Sequence, residues 1–189
     1  MECMDFTITH ERGPMTRQVR QAALAWGGEA AWEQLLHSVS ESCRARFQHP
    51  VGFFEWVPSP LAVELHDAWA KLRGLETMRE RGEGAAHEML ALGGVQAWIL
   101  KAASIHFLLV NVPRIFAFYY RGGRLDLVNL DGNTCVYALQ ANGYPEAWFT
   151  EGLPGWIRVA LERSGAKDIN VHCAKEGTER HRYQVTWRD

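Results

Sequence analysis

Apolar residues in the first half of the chain recur at the spacing of helices, and in the second half they alternate as in strands. Pro14 starts a first helix predicted over Met15 to Trp26, closed by Gly27-Gly28. A second runs from Glu29 to Phe47, with Ala31, Trp32, Leu35, Leu36 and Val39 on one face. Ser59-Pro60 opens a third, whose buried stripe is Leu61, Leu65, Ala68, Trp69 and Leu72. The stretch Glu76 to Leu92 has helical spacing but holds Gly82 and Gly84, each costing about 1 kcal/mol against alanine, so a break is expected near Gly84. Val95 to Val112 is strongly apolar, and Pro113 should kink or restart the helix that continues to Tyr120.

After Gly122-Gly123 the period changes. Arg124–Leu130 and Thr134–Gln140 read as strands joined by the turn Asp131-Gly132-Asn133. Leu153–Ser164 is an amphipathic helix, and Lys167–Cys173 and Arg180–Trp187 are two closing strands. The fold class is therefore α+β: N-terminal helices packed on a C-terminal antiparallel sheet in β-β-α-β-β order. His10, Glu11, Arg12 and Gly13 read as part of a flexible tail over residues 1–14, before a single domain over 15–189.

Composition then excludes several functions. The formal charge is -2, so a nucleic-acid partner held through phosphates is not expected. No apolar run approaches a membrane span. The start of the chain carries Glu2 and Asp5 and lacks a basic, then apolar, leader, so a cytoplasmic location is expected. Cys3, Cys43, Cys135 and Cys173 are widely spaced and read as free thiols. The 8 tryptophans suit either a well-filled core or an aromatic-lined pocket.

One constellation carries chemistry. With the last turn centred on Gly177, Cys173 faces His181, Val171 faces Tyr183 and Ile169 faces Val185, apolar against apolar. The thiol and imidazole are then a core pair, half of a zinc site, or a nucleophile pair. His106 lies on an apolar helix, where it is a core residue or a heme ligand. Arg114, Tyr119, Tyr120 and Arg121 form an aromatic and basic cluster that suits a solvated helix end as well as an anion site.

Three segments carry a family resemblance: Trp56-Val57-Pro58 before a helix; Val112-Pro113-Arg114-Ile115-Phe116 through Gly122-Gly123-Arg124-Leu125; and Glu151-Gly152-Leu153-Pro154-Gly155-Trp156 with the closing hairpin to Trp187. Over about residues 15–188 the chain resembles small stand-alone proteins, numerous in myxobacteria, similar to 4-vinyl reductase-type domains. Those share a fold with TRAPP vesicle-tethering subunits and heme nitric-oxide/oxygen-binding domains, the NO-signalling/Golgi-transport ligand-binding class. The resemblance implies an apolar pocket between helices and sheet, and a homodimer. Some relatives bind zinc through a C-x7-C hairpin; Cys173 matches its first cysteine and His181 stands at the second, so zinc is a candidate cofactor. The heme-binding relatives use a Tyr-x-Ser-x-Arg motif that this chain lacks, so heme is not expected.

The reading that follows is a non-enzymatic sensor that binds a small hydrophobic molecule and signals through a partner protein. Its candidate pocket residues are Trp98, Phe107, Phe116 and Trp156. The alternative is a scaffold acting through a dimer or partner interface. A packed interior favours the scaffold, and a void of several hundred Å³ favours the sensor.

Overall fold

The computed structural model describes residues 5–91 and 104–188. Their elements are β1 (His10–Arg12), α1 (Gly13–His37), α2 (Glu41–Phe47), β2 (Trp56–Pro58), α3 (Ser59–Leu72), α4 (Met78–Ala91), α5 (Ile105–Tyr119), β3 (Tyr120–Arg121), β4 (Arg124–Asp131), β5 (Thr134–Gln140), a wide helical turn (Trp148–Gly152), α6 (Leu153–Arg163), β6 (Lys167–Lys175) and β7 (Arg180–Arg188). Helices and sheet are mixed, as expected. The expected strand order omits β1, β2 and β3, which form a second sheet ordered β2-β1-β3 beside the larger β4-β5-β7-β6.

Two apolar cores result. One joins α1, α2 and α3 around Leu35, Cys43, Val57 and Leu65. The other joins the large sheet to α5 and α6 around Leu109, Tyr137, Leu161, Tyr183 and Val185. The buried phenols are satisfied: Tyr137 donates to the Leu109 carbonyl at 2.7 Å and Tyr183 to the Phe149 carbonyl at 2.9 Å.

Residues expected to be a tail instead build the wall between the cores. Ile8 is buried, and β1 pairs with β2 and β3 on either side. Strand alternation turns Glu11 inward beside Val57 and Tyr120, and turns His10 and Arg12 outward beside Trp56 and Arg121. Gly122 fixes this docking: its φ is +91°, and a Cβ there would sit 1.9 Å from the Thr7 carbonyl oxygen.

Gly27 and Gly28 have non-helical backbone angles, so they close the first helical stretch as expected, and a second follows within the span labelled α1. Two helical expectations change. The expected second helix breaks at Ser38–Ser40, where the Ser40 hydroxyl accepts from the Cys43 amide and caps α2. The expected break near Gly84 is absent: α4 runs through both glycines. Gly82 serves packing, because a Cβ there would lie 1.9 Å from the Gly152 carbonyl oxygen. The α5 helix likewise contains Pro113 within its length.

The last hairpin pairs Cys173 with Tyr183, Val171 with Val185 and Lys175 with His181. This lies two residues from the expected register. The centre of the turn lies one residue later than expected, and the Glu176 amide on the Arg180 carbonyl closes it. A shift of two keeps every side chain on its face, so the apolar pattern reads the same in both registers.

Candidate functional site

A cavity of about 80 Å³ lies between the helical core and the sheet core. Its walls are aromatic and apolar, with Trp69, Tyr120, Tyr144, Trp148 and Trp156 among them. A buried polar contact is built into it. Glu11, 1% exposed, holds the His66 Nε2 at 3.0 Å and accepts from the Tyr144 hydroxyl at 2.8 Å. These residues come from β1, α3 and the loop after β5, so the contact ties both halves together.

The electrostatics follow from burial and charge. Burial opposes a charged His66, but the carboxylate of Glu11, with Asp67 and Glu88 behind it, outweighs this and holds the pKa above 6.5. The Tyr144 phenol is pushed well up, first by burial and then by the Glu11 charge. Tyr120 is raised for the same two reasons. The other acids have donors of their own. Trp69 Nε1 donates to Glu88 at 2.9 Å, and Arg81 donates to Asp67 at 2.8 Å. An imidazole and a phenol around one carboxylate, beside aromatic walls, give a small ligand a polar anchor.

Of the four pocket residues expected from sequence, Trp156 lines the cavity. Phe107 is 57% exposed on α5. Phe116 packs on the sheet core with its ring 4.9 Å from Tyr120. Trp98 lies outside the described residues. Sequence reasoning missed Glu11, His66 and Tyr144. The β-branched run Thr7-Ile8-Thr9 was the available signal for a strand at Glu11.

The zinc expectation is not met. Cys173 and His181 do not face one another; His181 Nε2 bonds the Glu146 carboxylate at 3.0 Å, and burial raises the Cys173 pKa. Among the described residues no group of 3 or more His, Cys, Asp or Glu could hold a metal. His106 is exposed, with its ring 6.0 Å from Trp187.

No family model and no curated protein matches the chain. Solved structures do. An H-NOX protein from S. oneidensis in the Fe(II)NO ligation state gives a TM-score of 0.67 at 9% identity, over 94% of this chain and 99% of that one. An oxygen-binding H-NOX domain related to soluble guanylate cyclases gives 0.64 at 10% identity, over 94% and 95%. A structure described as modulating heme redox potential through porphyrin distortion gives 0.63 at 10% identity, over 93% and 99%.

The chain has the H-NOX fold.

This supports the shared fold that the resemblance named. The structures described here are neither 4-vinyl reductase-type nor TRAPP proteins. It also overturns the argument against heme: one solved structure of this fold is described by its heme and another by its Fe(II)NO state, so one missing motif does not exclude the group. The fit is a separate matter of geometry. Small-molecule sites usually measure about 300–1,000 Å³, and the cavity here is about 80 Å³. As arranged it does not hold a porphyrin, and its imidazole, His66, is already bonded to Glu11. Among the described residues no helix is long and apolar enough to cross a membrane.

Proposed function

We propose that the chain is a non-enzymatic, cytoplasmic sensor module that takes a small molecule into the cavity between its two cores and reports occupancy to a partner protein. The observation that carries this reading is the Glu11–His66–Tyr144 contact, a polar anchor inside an aromatic cavity. Occupancy would act by population shift: a ligand that binds one packing of the two halves better than the other favours that packing. The volume bounds the ligand. About 80 Å³ suits a molecule of few heavy atoms, such as a dissolved gas, and not the larger hydrophobic compound that tryptophan-rich stripes suggest.

The scaffold reading, through a dimer or a partner, is the alternative. The small cavity favours it, and so do the exposed rings of Phe53, Phe54 and Phe118. Native mass spectra of freshly purified protein, recorded before and after denaturation, separate the two. Extra mass lost on denaturation that matches a molecule of few heavy atoms, or a rise in melting temperature with nitric oxide or dioxygen, supports the sensor; a retained heme would contradict the volume argument. A chain that carries nothing and responds to neither gas overturns it.

A further inference from the structure

The sheet that carries Glu11 has an outer face, and that face is built from stacked cations and rings. The Arg12 guanidinium lies 4.3 Å from the centre of the Trp56 ring and 4.4 Å from that of Phe118. Arg121 lies 4.8 Å from the Trp56 ring. Phe118 leads to Phe53 at 6.3 Å, and Phe53 to Phe54 at 5.0 Å. The rings of Phe53 and Phe54 are 45% and 72% exposed on the turn between α2 and β2. Among the described residues neither Arg12 nor Arg121 makes an ion pair. The carboxylate next to Trp56, Glu55, is committed to Arg46 and to the Gly52 amide.

We infer that this face is the docking surface for an acidic, apolar segment of a partner protein. Carboxylates of the segment meet Arg12 and Arg121, and an apolar side chain packs on Phe53 and Phe54. Charge complementarity carries the choice of occupant. Guanidiniums held between rings are preorganised forks for carboxylates. A second copy of the chain would set these arginines against their own kind, which is repulsive. An anionic membrane is usually read by clusters of about four to eight basic residues, and this face offers two unpaired guanidiniums, Arg12 and Arg121. The face also sits one strand's thickness from the cavity. Glu11 and Tyr120 point in where Arg12 and Arg121 point out, so a shift of β1 is felt on both sides. The inference rests on the partner half of the reading above and not on its ligand.

The test uses the full chain and a labelled peptide of alternating glutamate with leucine and phenylalanine, read by fluorescence anisotropy, with a lysine-for-glutamate peptide as control. The acidic peptide should bind, the basic one should not, and added salt should weaken binding. Arg121→Glu and Phe54→Ser should each weaken it by about tenfold or more. Phe54→Ser sits at an exposed tip, so unchanged melting separates lost binding from lost folding. Four results would overturn the inference: equal binding of the two peptides, variants that bind like wild type, sedimentation with phosphatidylserine vesicles without peptide binding, or a concentration-dependent dimer that Phe54→Ser abolishes. None of these readouts needs a cavity ligand, so failure of the ligand reading leaves the test intact.

Discussion

Glu11→Gln removes the charge at the centre of the cavity and almost none of the volume. The amide keeps a carbonyl for the Tyr144 hydroxyl and meets His66 without a charge. A hydrogen bond to a charged group contributes about 1.5–3 kcal/mol, and a neutral one about 0.5–1.5. Two contacts change, at 3.0 Å to His66 and 2.8 Å to Tyr144. The difference is about 2–3 kcal/mol, reduced to about 2 because His66 is partly open to solvent and because a buried carboxylate is no longer desolvated. For a chain of this size that lowers the melting temperature by about 4–8 °C. The loss depends on pH. The folded pKa of His66 is raised above 6.5, so its contribution is complete below that value and disappears as pH rises through the folded pKa. Wild type therefore loses this share as pH rises from about 6.5 through the raised folded pKa, and the variant, without the main raising charge, loses less. Calorimetric melts of both proteins across that window should show the gap narrowing as pH rises. A gap that stays constant or widens, or a variant that melts with wild type near pH 6, would refute the reasoning.

Gly82→Ala should lower the melting temperature by several degrees, because the new Cβ meets the Gly152 carbonyl oxygen at 1.9 Å and overpacking of about 1–3 kcal/mol or more exceeds the propensity gain of about 1. Gly84→Ala meets only the end of the Leu75 side chain at 3.0 Å, so its melt should be unchanged or slightly higher. Tyr183→Phe leaves the Phe149 carbonyl without its donor, which should cost about 1–3 kcal/mol in urea unfolding. The Cys173 thiol is raised by burial, so iodoacetamide should label it slowly until denaturant is added; rapid labelling of the folded chain would reopen a nucleophile reading.

The elements of the second half were legible because their period is unambiguous. β4, β5, α6, β6 and β7 fall within a residue or two of the expected bounds. Hairpin register was not, since moving the centre of the turn by one residue shifts Cys173 from His181 to Tyr183 without moving any side chain to the other face. Gly82 was ambiguous, because spacing shows a glycine in a helix and not the neighbouring carbonyl that requires it. The site was hidden for a different reason. Glu11 meets His66 across 55 positions and Tyr144 across 133, and no local pattern marks partners that only the tertiary fold brings together. β1 has three residues, too few to show an alternation of their own.

The most direct test of the central claim is whether a small molecule enters the cavity. Dissolved dioxygen under pressure is paramagnetic, and NMR relaxation of tryptophan indoles reports where it goes. The cavity predicts strong enhancement at Trp69, Trp148 and Trp156, with little at Trp32, which packs in the helical core. Equal enhancement at all four, or stronger enhancement at Trp32, would contradict the claim that the space between the two cores is a small-molecule site.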